Sequence, residues 1–410
     1  MDEAITGKDI KNLRGNILKK ILAILMILIV IFISFWYIFN IDGKIIDIKS
    51  DLTNEELILD DEPPTPPGSN RGIDAGRHVL EITDESPHRY SRREWWYFNV
   101  YFNDPESDLK NWSMIVAFNK MARLDIRFQS RDSLFMMLYD SDEYHKFSTL
   151  GKKRGTFKSE GPGVNLVFEN SWAKGQYPNW FLHAENPEMN FIAELEFDAD
   201  FLPVWVEGRS SNLPFSGFLA GNYYIPRCKV EGEIIWEGKT YSVRGVGYHD
   251  HVWENNIPRF ISKGWDWFNL HFENGWEMYI SKFNLRSIRN NYAGAIIISP
   301  NNRDMVEFVK FDLKVLESVN PADLPSLSYP KKLRLEANRD DMDLVLDINI
   351  YNTCETVWKR ARIGMFEGPC TAKGTFSWSG NNVELNGYGF SEFTKVKYLL
   401  QRPNIINFKN

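Results

Sequence analysis

A spaced set of glycines and tryptophans occurs twice in this chain, and it limits the fold more than any other feature. Gly232, Trp236, Gly238, Gly245 and Gly247 recur 142 positions later as Gly374, Trp378, Gly380, Gly387 and Gly389, with no gap between them. In the same frame Tyr248 meets Phe390 and Asp250 meets Glu392. A second echo opens each half: Trp95, Tyr97, Phe98, Asn99 and Val100 resemble Trp265, Trp267, Phe268, Asn269 and Leu270. Hairpins reuse glycine and tryptophan, but five identities in one ungapped frame point to duplication. The chain therefore reads as two related units, 86–252 and 253–410, preceded by a tail (1–20), an apolar run (21–39) and a spacer (40–85).

Both units are expected to be all-β. Segments such as 94–102, 112–118, 265–272, 276–283, 306–315 and 344–351 are short, rich in β-branched and aromatic residues, and bounded by turn residues. Asn274-Gly275 between two of them is a hairpin signal. Long amphipathic helical stretches are scarce, and aromatics reach 14 % of the chain, which suits strands and ligand cavities. Antiparallel units of this size close into barrels or sandwiches, and a barrel of about eight strands can hold one small apolar ligand.

Ile21 to Phe39 carries no charge over 19 residues, long enough at about 1.5 Å per residue to cross a bilayer of roughly 30 Å. Its aromatic end, Phe35 to Phe39, fits an interfacial anchor better than a signal-peptide cleavage site. The basic cluster Lys8, Lys11, Arg14, Lys19 and Lys20 precedes the run, so the positive-inside rule puts the N-terminus in the cytoplasm and the body outside the membrane. The stretch after it is acidic and then proline-rich, as expected of a solvated spacer. The whole chain carries a net charge of −7, which argues against a nucleic-acid partner. Three cysteines cannot build a disulfide framework, although Cys354 and Cys370 could pair. No phosphate-binding glycine loop, H-E-x-x-H or G-x-S-x-G occurs.

The densest chemistry lies at Tyr248-His249-Asp250-His251-Val252-Trp253, followed by Trp265-Asp266-Trp267. In an extended chain His249, His251 and Trp253 share one face, while Tyr248 and Asp250 share the other. Gly245 and Gly247 just upstream could bend the strand, so either face could line a cavity.

These residues carry a family resemblance. Glu94-Trp95-Trp96-Tyr97-Phe98, Gly247-Tyr248-His249-Asp250-His251-x-Trp253 and Gly264-Trp265-Asp266-Trp267-Phe268 resemble the AttH-like double-lipocalin family, which includes the carotenoid 1,2-hydratases, over roughly 85–400. The resemblance implies two consecutive lipocalin-like antiparallel β-barrels with an apolar ligand site near their junction. It implies action on an isoprenoid or other polyene by hydration or cyclisation, or simple carriage of such a ligand. It also implies an acid beside a tyrosine on the strand after the W-x-W segment; here Glu277-Met278-Tyr279-Ile280-Ser281 supplies Tyr279 without an adjacent inward acid.

Hydrating an unactivated alkene needs an acid strong enough to protonate it and a surface that stabilises the tertiary cation. A carboxyl kept neutral by burial can supply the proton, and aromatic faces can stabilise the cation. Asp250 is the first candidate acid and Asp266 the second. His249 or His251 would position water beside Tyr279, with Tyr248, Trp253, Trp265 and Trp267 lining the site. No cofactor and no metal is expected. Two alternatives stand beside this reading: Asp250 and the histidines as a buried structural network, and zinc held by His249, His251 and a third ligand such as His271.

Overall fold

The computed structural model describes residues 80–397 except 89–90, 92, 122–131, 151–155, 208–219, 255–261, 286–292, 301, 303, 309 and 360–361. The expected tail, membrane run and most of the spacer lie outside these residues. Among the described residues no helix is long and apolar enough to cross a membrane. The only helical piece among them is a 3-10 turn at Pro187–Met189.

Two antiparallel sheets follow one another along the chain. The first contains β1 (Arg93–Tyr101), β2 (Ser113–Met121), β3 (Ser133–Tyr139), β4 (Tyr144–Lys146), β5 (Thr149–Leu150), β6 (Phe157–Ser159), β7 (Val164–Phe168), β8 (Ser171–Gln176), β9 (Asn179–Asn186), β10 (Phe191–Ala199), β11 (Val204–Glu207), β12 (Ala220–Trp236) and β13 (Lys239–Glu254). The second contains β14 (Ser262–Phe272), β15 (Glu277–Leu285), β16 (Ala293–Ile298), β17 (Met305–Phe308), β18 (Phe311–Val319), β19 (Tyr329–Arg339), β20 (Met342–Ile350), β21 (Cys354–Trp358), β22 (Ile363–Trp378) and β23 (Asn381–Val396). The single strand expected over 306–315 is thus two, β17 and β18.

The duplication is visible in the strand order. One sheet contains the path β3-β2-β1-β13-β12-β10-β9, and the other contains β16-β15-β14-β23-β22-β20-β19. Each opening strand is therefore paired by the closing strand of its own unit: β1 with β13, and β14 with β23. The repeated glycines have repeated reasons. Gly238 and Gly380 take positive φ, as do Glu237 and Ser379 before them, in the two-residue turns of β12–β13 and β22–β23. A Cβ on Gly245 would lie 1.9 Å from the Tyr101 carbonyl oxygen, and one on Gly387 would lie 2.2 Å from that of His271.

Each sheet curls around its own apolar core. The first core includes Trp96, Phe98, Trp180, Tyr223 and Trp253; the second includes Phe268, Met278, Leu346, Phe376 and Phe393. Closed barrels were the expectation, yet the hydrogen-bonded path of the first sheet ends at β4 and β6 and that of the second at β17 and β18. A third buried cluster draws on the opposite faces of both sheets and is rich in tyrosine: Tyr97, Tyr101, Tyr139, Tyr224, Tyr248 and Tyr279, with Trp267 and Phe390. The central strands are therefore covered on both sides, which explains their near-continuous apolar and aromatic runs. Cys354 lies in this junction and Cys370 in the second core, so the pairing considered from sequence does not form; all three cysteines are free and buried.

Candidate functional site

The stretch Tyr248–Trp253 sits on β13 between β1 and β12, with no register shift opposite β1. Strict alternation then separates its side chains. Tyr248 and Asp250 face the junction, whereas His249, His251 and Trp253 face the first core. Both faces are buried, so the sequence alone could not choose between them.

On the junction face, the Tyr248 hydroxyl donates to Asp250 Oδ2 at 2.9 Å. Asp250 Oδ1 is buried and has no hydrogen-bond partner among the described residues. Burial pushes the Asp250 carboxyl far above its usual range; the Tyr248 bond opposes this, and the charge of Glu392 adds to it. Tyr97 and Tyr224 flank Asp250 on the neighbouring strands. Trp267, from the second sheet, meets Tyr97 at 5.5 Å and Tyr248 at 5.4 Å, both edge to face. Tyr279 stacks on Tyr224 at 4.4 Å and its hydroxyl receives Asn222 Nδ2 at 3.2 Å. Asp250, Tyr248, Trp267 and Tyr279 are thus brought together from three strands, β13, β14 and β15.

Trp265 reaches the same region by donating its indole N–H to Glu392 Oε1 at 2.6 Å. Thr394 donates to that oxygen at 3.1 Å. Glu392 is pushed up to about 7 by burial, against the pull of Thr394, Trp265 and Arg93. Opposite it on β22 stands Glu367, 5 % exposed and raised well above the carboxylate range by burial and then by the charge of Glu392. The junction therefore holds three buried or half-buried carboxyls, one from the first sheet and two from the second.

The remaining sequence candidates are elsewhere. Asp266 points away from Trp265 and Trp267, where it pairs with Lys395 and accepts from Asn284 Nδ2 at 3.0 Å; an ion-paired carboxylate on that face is not a proton donor at the junction. His249 stacks on Phe98 at 4.1 Å, bonds the Tyr97 carbonyl at 3.0 Å and is pulled down to about 3 by burial. Neither it nor His251 can position water for Asp250, because the strand itself intervenes. Trp253 packs with His88 and Trp205 in the first core. His271 is held by Glu277 at 2.6 Å and by Asn269 at 3.1 Å, so it does not join His249 and His251 as a metal ligand.

The acid missing beside Tyr279 has a structural answer. Glu277 shares that strand and face, but Arg227 from the first sheet claims it at 2.5 Å, and His271 holds its other oxygen. The junction acids come from β13, β22 and β23 instead. In the sequence Glu392 stands only as the repeat partner of Asp250, and the repeat frame does not point to Glu367. A β-bulge in β12 between Ile225 and Cys228 shifts its alternation by one residue relative to β22, so the ungapped frame aligns Tyr224 with Phe366 although Glu367 is its true counterpart. A lone charge inside the apolar run Gly364-Met365-Phe366-Glu367-Gly368 was the available signal.

The duplicated sheets, one following the other around a tyrosine-rich junction, invite comparison with known proteins. A profile of the AttH-like family matches residues 74–395. The chain belongs to the AttH-like family. No functionally curated protein matches its sequence. Among solved structures, this AttH-like chain is similar to an AttH protein from Nitrosomonas europaea, at 16 % identity and a TM-score of 0.60, covering 79 % of this chain and 99 % of that one. It is also similar to kievitone hydratase from Nectria haematococca, at 16 % identity and a TM-score of 0.58, covering 81 % and 96 %. CghA, solved with Sch210972, gives 10 % identity and a TM-score of 0.55 over 82 % and 96 %. At these identities the likeness shows the shared double lipocalin-like fold.

Proposed function

We propose that this AttH-like protein binds a long apolar polyene, of isoprenoid type, at the junction of its two sheets and transforms it by acid-initiated hydration or cyclisation. The observation that carries the reading is Asp250: a carboxyl that burial pushes toward its neutral form, oriented by Tyr248, with Oδ1 unpartnered among the described residues and aromatic rings around it. Asp250 gives its proton to one carbon of a double bond, which leaves an Asp250 carboxylate and a tertiary cation. Ring faces of Trp267, Tyr97 and Tyr279 stabilise that cation. Water then adds to the cation and its surplus proton returns to a carboxylate, for a net gain of one water. If a neighbouring double bond attacks instead, loss of a proton gives a cyclic isomer. Kievitone hydratase is a hydratase by name, which supports the hydration, and CghA, solved with Sch210972, supports a bound ligand on a similar fold.

The charge-free run 21–39 with basic residues before it supports a membrane tether, cytoplasmic N-terminus and extracytoplasmic body, which would supply an apolar substrate directly from the bilayer. The test is mass spectrometry of full-length protein in detergent, incubated with a lipid extract of its host. A product heavier by one water or a cyclised isomer, formed by the wild type and not by Asp250→Asn, is expected. A ligand recovered unchanged from both would make the protein a carrier.

A further inference from the structure

A second cluster of buried polar groups lies on the other face of β1 and β13, apart from the junction. Glu94 is 1 % exposed, and its Oε1 receives the His88 backbone N–H at 2.7 Å. The same oxygen lies 3.0 Å from His88 Nδ1 and 3.1 Å from His251 Nε2. Its Oε2 takes Ser91 Oγ at 3.1 Å and Lys120 Nζ at 3.2 Å.

The decisive contact is on the far side of the His251 ring. Nδ1 stands 3.0 Å from the carbonyl oxygen of Asp84, which can only accept, so Nδ1 carries the hydrogen. A neutral ring then has its lone pair on Nε2, aimed at a carboxylate oxygen that also offers only lone pairs. Two acceptors at that distance repel unless a positive charge lies between them. A proton held between them would serve that one pair. A metal cation meets the same need and also uses His88. An imidazole whose other nitrogen donates to a backbone carbonyl is the usual outer-shell arrangement of a metal-bound histidine.

The spacing fits. His88 Nδ1, Glu94 Oε1 and His251 Nε2 all lie within 4.8 Å of one another. The two shortest separations, 3.0 and 3.1 Å, approach the edge of roughly 3.3 Å that bonds of about 2.0 Å give in a tetrahedron. His88 is fixed by stacking on Trp253 at 3.8 Å and 8°. Two imidazoles and one carboxylate suit zinc better than magnesium or calcium.

We propose that His88, Glu94 and His251 bind one zinc-type divalent cation, which fastens the segment before β1 onto the first sheet. Glu94 binds through Oε1 alone, since Lys120 holds Oε2. The Lys120 charge competes with the cation, so Lys120→Met tightens binding about tenfold.

The experiment uses full-length protein stripped with a chelator and titrated with zinc chloride, followed by metal analysis and thermal unfolding. A more exposed triad, Asp140, Glu143 and His145, could also take zinc, so every variant carries His145→Gln. The expected result is one zinc per chain and a higher unfolding temperature, with affinity at least a hundredfold weaker in Glu94→Gln and His251→Asn. Those buried changes could impair folding, so His88→Gln, in the half-buried segment before β1, provides the same test on a folded chain. No zinc-dependent rise in the His145→Gln protein, or an equal rise in the added His88→Gln, overturns the proposal.

Discussion

The closing strands of the two halves occupy equivalent places, yet they present different chemistry to the junction. On β13 a tyrosine precedes the acid by two residues and bonds it; on β23 the corresponding residue is Phe390, and Glu392 turns to Trp265 and Thr394 instead. Asp250 ends with one oxygen unpartnered among the described residues and is pushed far up by burial, while Glu392 accepts two hydrogen bonds on one oxygen and is pushed up to about 7. Duplication supplied two acids at related positions, and their different surroundings raise them to different extents.

The largest effect expected from breaking this contrast is on turnover. Asp250→Asn keeps the shape and an acceptor for Tyr248 but removes the proton, and a loss of at least about a hundredfold in rate is expected, read by product formation at unchanged unfolding temperature. Next comes the link between halves. Arg227→Met leaves Glu277 buried without its ion pair and should lower stability by about 3 kcal/mol in denaturant unfolding; adding Glu277→Gln should recover part of it.

Glu392 gives a pH signature. Its folded value of about 7 lies above the ordinary carboxylate value of 4.5, so the folded state holds the proton longer than the unfolded state. Its contribution favours folding at low pH and declines as pH rises from about 4.5 through 7. Relative to wild type, Glu392→Gln should therefore gain in unfolding temperature over that window and level off above it. The smallest effect is expected from Tyr248→Phe, which copies the Phe390 side. It removes one hydrogen bond, costs about 1 kcal/mol of stability, and lowers turnover about tenfold by letting Asp250 rotate.

Much of the architecture was legible because glycine and tryptophan mark turns and close approaches, and those marks repeat at a fixed interval. Gly238 and Gly380 locate the same turn in each half, and Trp95 and Trp265 the same opening strand. The site was half legible. Alternation along β13 grouped Tyr248 with Asp250 and separated them from the histidines, but a strand covered on both sides gives no sign of which face meets the partner sheet. Glu367 escaped because the bulge in β12 breaks the frame that would have pointed to it. His88 and Glu94 escaped because their meeting with His251 spans about half of the described chain and no short motif holds them.

The central claim is that Asp250 is a neutral acid under working conditions. Infrared difference spectroscopy of wild type against Asp250→Asn at pH 7.5 tests it directly. The account predicts a protonated-carboxyl C=O band in the wild type that is missing from the variant. A difference spectrum showing only the loss of ionised-carboxylate bands would contradict it.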